Sequence, residues 1–438
     1  MSEKPVSFEA SRQWLARALE RIPTGSQTFS KSYLQYPVGH APLFLDRGRG
    51  GRVWDIDGNE FVDLVAGLLP VTLGYCDPDV DAAIKIQLEK GISFSLATPL
   101  ELDLAERLAA IIPCAEMSRF GKAGSDATSA AVRLARAATR RDRIVMCGYH
   151  GWHDWYVGST VRSLGVPETV SALTHRIPYG DIGAFHDLLK AHPGEIAGII
   201  MEPMNSVEPP PGYLAEMRDL AHAHAALFIF DEIITGFRYA LGGAQALFGV
   251  TPDLAAFGKG MGNGMPISAL VGKAEIMHLL DEVFFSGTFG GEALSLAAAI
   301  AVIDKMRREP VIEHLYDFGR RLNDALAQIL RQNGLADTIL LRGQPCWTIL
   351  VIADHPAATK EEIKTFIVTR MARNGVLSNV THNICYAHDE RDLNDCITAY
   401  QGVLAELADH LRSGPGRLRA MLGCEPVRPV FSVRTHNK

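Results

Sequence analysis

The chain is poor in the features that mark exported, membrane-bound or nucleic-acid-binding proteins. Its seven cysteines (Cys76, Cys114, Cys147, Cys346, Cys385, Cys396 and Cys424) are scattered over 438 residues, with no C-x-x-C spacing. An odd, dispersed set of this kind excludes a disulfide framework and reads as reduced thiols in a cytoplasmic protein. No apolar run approaches the roughly 20 residues of a membrane span. One of the longest, Ala293–Ile303, includes Ser295 and sits among charged residues. There is no excess of positive charge either. The 43 Lys and Arg are outnumbered by 50 Asp and Glu, for a net charge of −7, so no basic surface points to nucleic acid. Met1–Ser11 carries Glu3, Lys4 and Glu9 and no apolar stretch, and no export signal is expected. Repeats and low-complexity segments are absent.

What is present is an ordinary globular composition, 47% hydrophobic and 21% charged, in a chain long enough for one large core and a smaller one. Gln13–Glu20 predicts a short amphipathic helix with Trp14, Leu15, Ala18 and Leu19 on one side. The alternation over Arg52–Asp63 predicts two strands around Asp57-Gly58-Asn59, where Asp-Gly signals a hairpin turn. Between about residues 100 and 300, short apolar runs alternate with helical segments. Candidate strands are Met117–Phe120, Ile144–Cys147, Ile196–Met201, Leu227–Phe230, Leu254–Phe257 and Ala269–Val271, which suggests a buried, mainly parallel sheet. In the last third, Pro310–Asn333 and Asp392–Leu411 have helical periodicity, while Leu340–Ile352 and Gly375–Val380 read as strands. We therefore expect an N-terminal segment (1–70) belonging to a small domain and dimer contacts, a large domain (71–320) and a C-terminal small α+β domain (321–438).

The residues that follow the apolar runs carry the chemistry, because ligands of open α/β sheets bind beyond the carboxyl ends of strands. Asp231-Glu232 follows the run at Leu227. A buried acid there needs a cation, and the pyridinium nitrogen of pyridoxal 5′-phosphate (PLP) is one. Lys259, between Gly258 and Gly260, follows the run at Leu254, where desolvation lowers the amine toward a usable nucleophile. Lys122-Ala-Gly-Ser125 opens an Ala-rich helix with Ser125 as its expected N-cap, a turn suited to phosphate. It matches neither the dinucleotide nor the P-loop pattern. Tyr149-His150 and Trp152-His-Asp-Trp155 offer rings to a flat ligand. His150, His153 and Asp154 have no third cluster at metal-ligand spacing, so no metal is expected. His222 and His224 flank Ala223 on an alanine-rich helix and read as partly exposed. Phe285-Ser-Gly-Thr-Phe-Gly-Gly-Glu292 is a second loop suited to phosphate. Singly, each has a plainer reading: a capped helix, a surface turn, a packed ring. Their order along the chain is what a PLP site requires.

These stretches resemble the class III aminotransferases of PLP fold type I, over about Leu43–Leu411, and most of all the glutamate-1-semialdehyde aminomutase branch. The matching residues are Val53–Asn59, Gly124–Arg136, Tyr149–Gly151, Glu202-Pro203, Asp231–Arg238, Gly258–Gly260 and Ser286–Thr288. The resemblance implies an α/β fold with a mainly parallel seven-stranded sheet in the large domain. It implies a Schiff base on Lys259, which also moves the proton, and pairing of Asp231 with the ring nitrogen. Ile233 would lie under the ring and Tyr149 above it, with His150 nearby and Glu202 toward the 3-hydroxyl side. Gly124 and Ser125 would bind the phosphate, together with Thr288 from the other subunit of a homodimer.

The departures fall on the substrate side. His382 stands where the aminomutases have an acid, the entry segment Thr28–Tyr33 lacks their arginine and offers Lys31 as a stand-in, and the loop after Glu202-Pro203 is shorter. Lys31, Tyr33, Trp152, Asn205 and His382 are thus the candidate substrate residues. The expected activity is transfer of an amino group from an amino-acid donor to a keto or aldehyde acceptor. The alternatives are an aminomutase or epimerase on the same site, and a non-catalytic PLP-fold scaffold, against which the intact Lys259 and Asp231 argue.

Overall fold

A computed structural model describes residues 6–204 and 206–427. The chain forms two compact units. One comprises the residues up to Asp77 together with the chain from Glu313, and the other is Pro78–Ile312. Among the described residues, no helix is long and apolar enough to cross a membrane.

The first unit begins with a helix, Glu9–Leu19. Leu15 is buried, but Trp14 and Leu19 are exposed, so the apolar stripe expected on this helix is only partly covered. Strands β1 (Leu45–Arg49), β2 (Arg52–Asp55) and β3 (Glu60–Asp63) follow, with β2 and β3 antiparallel as the Asp-Gly signal predicts. The turn is longer than two residues: Gly58 takes φ +87° and donates its N–H to Asp55 O, and Asp57 keeps negative φ. The Asp57 carboxylate instead accepts the N–H groups of Ala10 and Ser11 at 2.7 and 2.9 Å, satisfying donors in the first turn of the N-terminal helix.

The second unit holds β4 (Met117–Gly121), β5 (Arg143–Cys147), β6 (Thr174–Arg176), β7 (Ile196–Met201), β8 (Leu227–Asp231), β9 (Leu254–Phe257) and β10 (Ser268–Gly272). They make one seven-stranded sheet in the order β4-β10-β9-β8-β7-β5-β6. Strands β6, β5, β7, β8 and β9 pair in parallel, and β10 runs antiparallel to β9 and β4. The polar edge strand β6, Thr-His-Arg, carries no apolar run and is invisible to the hydrophobic pattern. The helix Gly124–Thr139 lies on the sheet through Ala127, Ala130, Ala131, Leu134 and Ala135, all buried in one core with Ile144, Ile200 and Ile229. Four alanines on that face let the helix approach closely, and full burial of its leucine adds roughly 2 kcal/mol.

After the helix Val311–Gln332 the chain returns to the first unit, with β11 (Ile339–Gln344), β12 (Trp347–Ile352), β13 (Val376–Leu377) and β14 (Thr381–Asn383). Leu340–Ile352 is thus two strands rather than one, a hairpin turning at Pro345-Cys346. Strand β13 adds in parallel to β3, and the helices Lys360–Arg373 and Glu390–Arg412 complete the unit.

Candidate active site

Four neighbouring parallel strands end on one rim, and each is followed by a polar or ionisable side chain. Cys147 is in register with Met201, Met201 with Phe230, and Asp231 with Ala256. The residues just beyond, Tyr149 and His150 after β5, Glu202 after β7, Asp231 ending β8 and Lys259 after β9, therefore converge where a parallel sheet offers its ligand crevice.

Asp231 is buried and held from two sides. Its Oδ2 lies 2.8 Å from His150 Nδ1, and its Oδ1 accepts the Ile233 N–H at 3.1 Å. His150 is itself enclosed, stacked 6.1 Å from Trp155 and edge-on to Tyr156, and Thr128 Oγ1 donates to its carbonyl. Its other ring nitrogen, Nε2, is buried and has no partner among the described residues. Glu202 accepts the Tyr149 N–H at 3.1 Å, and burial followed by the nearby Asp231 charge raises its pKa. Burial pushes the Lys259 amine down to about 8, against the opposing pull of Asp231 and Glu202 and with a smaller push from Arg238. Lys259 also has φ +29°, an uncommon backbone state for a non-glycine residue, at the start of the single turn Lys259–Gly262. Such outliers concentrate where the side chain has a task.

Ile233 lies between two glycines. A Cβ on Gly124 would meet its side chain at 3.0–3.2 Å, and one on Gly258 at 3.1 Å. The Asp231 loop, the helix start at Gly124 and the lysine turn are thereby drawn against one apolar side chain. Tyr149, half-exposed, packs edge-on to Tyr156. The helix begins at Gly124 with Ala123 as N-cap, so Ser125 is not the cap expected from the sequence. Asp126 takes the capping part, its Oδ2 accepting the N–H groups of Lys122 and Ala123 at 2.9 and 2.8 Å. Ser125 Oγ instead accepts the Trp152 N–H at 3.2 Å, tying the aromatic loop to the helix start. Gly151, at φ +101°, allows that approach: its Cβ would overlap Ser125 Oγ at 2.2 Å. The first N–H groups of the helix have no intrahelical acceptor and lie at the positive end of its dipole, a ready phosphate seat.

The remaining sequence candidates separate by location. Thr288 sits on an exposed turn of the same unit, and Trp152 is 68% exposed, edge-on to His153. Lys31, exposed, and Tyr33 belong to the other unit. Asn205 lies outside the described residues. His382 requires correction: it is fully buried on β14, its Nε2 2.7 Å from Tyr400 Oη, and burial drives its pKa to about 3. The imidazole that replaces an acid in the sequence is a neutral core residue here, with no open face for a substrate. His222 is also more than a half-exposed ring, since its Nε2 meets the buried Asp253 at 2.8 Å. Among the described residues, no group of three or more His, Cys, Asp and Glu could hold a metal.

Sequence reasoning missed the part played by Glu232. Fully buried, it turns away from Asp231 to accept Thr235 Oγ1, Ala244 N–H at 2.6 Å and Gln245 N–H at 2.9 Å, fixing the loop that follows β8. Two of the groups that donate to it, the Ala244 and Gln245 N–H, are close in space but twelve and thirteen residues distant in sequence, so no motif announces them.

An amine of lowered basicity, a buried carboxylate braced by a histidine, an exposed ring and a helix N-terminus suit an aldehyde, a pyridine nitrogen, a flat heterocycle and a phosphate respectively. These are the parts of PLP. Residues 33–389 match the family model of the class-III aminotransferases, and the chain belongs to that family. It is 37% identical over 417 residues to a 3-aminobutyryl-CoA aminotransferase of Cloacimonas acidaminovorans, covering 93% of this chain and 99% of that protein. It is 34% identical over 423 residues to a glutamate-1-semialdehyde 2,1-aminomutase of Methanosarcina acetivorans, covering 90% and 98%. Among solved structures, the PLP internal aldimine form of the FumI protein of Sphingopyxis sp. MTA144 superposes with a TM-score of 0.86 at 26% identity, covering 94% and 99%. The fold is PLP fold type I, the cofactor is PLP and the chemistry is PLP-dependent amino transfer.

Proposed function

We propose that the chain is an aminotransferase that carries PLP as a Schiff base on Lys259 Nζ and passes an amino group from an amino-acid donor to a keto or aldehyde acceptor. The observation behind this reading is the convergence of Lys259, Asp231, His150 and Glu202 on one rim of the sheet. When bound, PLP supplies a protonated pyridine ring that accepts the electron pair left as a substrate carbon loses its proton.

The protein's own groups do the rest. With its amine near 8, Lys259 is far closer to the neutral, nucleophilic and proton-accepting form at physiological pH than an ordinary lysine. Asp231, fixed by His150 Nδ1 and the Ile233 N–H, would keep the ring nitrogen protonated without having to reorient. Ile233 would pack under the ring and Tyr149 over it, while Glu202, whose pKa burial raises, would serve the 3-hydroxyl side. Gly124, Ser125 and, from a second subunit, Thr288 would bind the phosphate. A homodimer with shared sites accords with the exposed apolar side chains Phe94, Leu96, Phe284 and Phe289, the last beside Thr288. A cytoplasmic location accords with cysteines that are all free. Lys31, Tyr33, Trp152 and Asn205 remain the proposed substrate contacts.

The second reading is an aminomutase, favoured by the M. acetivorans relative's extent of similarity. Donor amino acid supplied alone separates the two. A transaminase releases about one keto acid per site before any acceptor is added, whereas a mutase isomerises its substrate with no keto acid released. Borohydride reduction followed by peptide mass analysis should find the cofactor's mass on Lys259. Its appearance on another lysine would sink the assignment.

A further inference from the structure

A second lysine is set into a cavity that the amino-transfer chemistry does not use. The unit that includes β12 contains a space of about 190 Å³ lined by Leu350, Ile352, Lys360, Glu361, Lys364, Val380 and Val427. Its walls are tied together by the backbone. Leu350 N–H donates to Val380 O at 2.9 Å, and Val427 N–H donates to Thr365 Oγ1 at 2.8 Å. Val380 has φ +54°, which a β-branched residue rarely adopts, so the wall is held in place at a cost. At the polar end, Lys364 Nζ donates to Gln35 Oε1 at 3.0 Å, and Asn379 Nδ2 reaches the same oxygen at 3.3 Å. Gln35 is neutral. Among the described residues, no carboxylate lies within ion-pair distance of Lys364, and burial alone lowers its amine to about 8. Glu361, the only acid on the lining, pairs with neither Lys360 nor Lys364 among the described residues.

A partly buried cation set against apolar walls with only a neutral acceptor is costly, and an anion that brings its own apolar body removes that cost. The dimensions limit the ligand. About 190 Å³ is the room of roughly six waters, smaller than the usual pocket of a drug-sized molecule. Four aliphatic side chains call for hydrocarbon, and two amines set against the single Glu361 carboxylate leave one positive charge for a compact anion. We propose that this cavity binds a small aliphatic monocarboxylate, its carboxylate on Lys364 with Lys360 beside it and its chain against Leu350, Ile352, Val380 and Val427.

The test uses the full-length holoenzyme and sodium hexanoate as the probe, titrated calorimetrically against hexanol and hexylamine. Hexanoate should bind saturably with one site per chain, and the neutral and cationic analogues should bind at least about tenfold more weakly, the size of one lost charge-assisted hydrogen bond. Lys364→Met, which keeps the stem and removes the charge, should weaken hexanoate at least about tenfold, and Lys259→Ala should leave it unchanged. If Lys364→Met proves poorly folded by circular dichroism, acetylation of Lys364 in the unmodified protein, followed by peptide mass analysis, replaces it. Hexanoate should slow that acetylation in a saturable way without slowing that of Lys190, an exposed lysine in the last turn of the helix Ile182–Ala191 of the other unit. Equal binding of all three probes, binding lost with Lys259→Ala, or Lys364 acetylation unaffected by hexanoate would each overturn the proposal.

Discussion

Lys259 and Lys364 have their amines lowered to about the same value, near 8, but by different surroundings. Lys259 stands at the carboxyl rim of the large sheet, where Asp231 and Glu202 partly counter the burial. Lys364 stands in a helix of the other unit, where burial acts unopposed and the nearest acceptor is the Gln35 carboxamide. Two of the enclosed histidines repeat the contrast. His150 meets a carboxylate at 2.8 Å, whereas His382 meets only the hydroxyl of Tyr400 at 2.7 Å. Lowered basicity therefore does not by itself identify a catalytic amine. What distinguishes Lys259 is its company: charged groups delivered by adjacent strands to one rim, each held in a fixed orientation.

Substitutions can break this comparison from either side. The largest expected effect is at Lys259. Lys259→Ala should reduce turnover by about 10⁴-fold or more while the fold survives, measured as keto-acid release and by circular dichroism. Asp231→Asn keeps the size of the side chain and removes the charge that braces the ring nitrogen. It should lower kcat by about 10²–10³-fold with a smaller change in KM, and an equal rate would place the electron sink elsewhere. Glu232→Ala belongs to stability rather than chemistry. It strands the Thr235 hydroxyl and the N–H groups of Ala244 and Gln245 in the interior, and should cost about 3 kcal/mol in denaturant unfolding. The smallest effect is at Lys364, and its sign follows from proton linkage. The folded protein binds the proton less tightly than the unfolded chain, whose lysines titrate near 10.4. Wild-type stability is therefore penalised below about pH 8, and the penalty is relieved as pH rises from about 8 toward 10.4. Lys364→Met should stabilise the protein at pH 7 relative to its effect at pH 10.5, seen as unfolding curves of the two proteins that converge as pH rises.

Much of the large unit was legible in the chain itself. Short apolar runs at Ile196–Met201, Leu227–Phe230 and Leu254–Phe257 match β7, β8 and β9, because strands buried on both faces have no polar alternation to disguise them. The alanine face of Gly124–Thr139 follows from helical spacing alone. Polar edges and closely spaced turns were less readable. Strand β6 has no hydrophobic signal, and the β11–β12 hairpin reads as a single run because its turn, Pro345-Cys346, is so short.

The sequence by itself determined which chemical groups follow which strands, since local order survives folding, and so carried the cofactor and the reaction class. The tertiary structure decided what each group does once there. It turned Asp231 toward His150 and Glu232 away from it, gave the helix cap to Asp126 rather than Ser125, and enclosed His382 beside Tyr400. These outcomes depend on partners that are distant along the chain, or on rotamers chosen by packing. Burial and hydrogen bonding, rather than residue type, then set whether an acid, an amine or an imidazole acts or is merely packed.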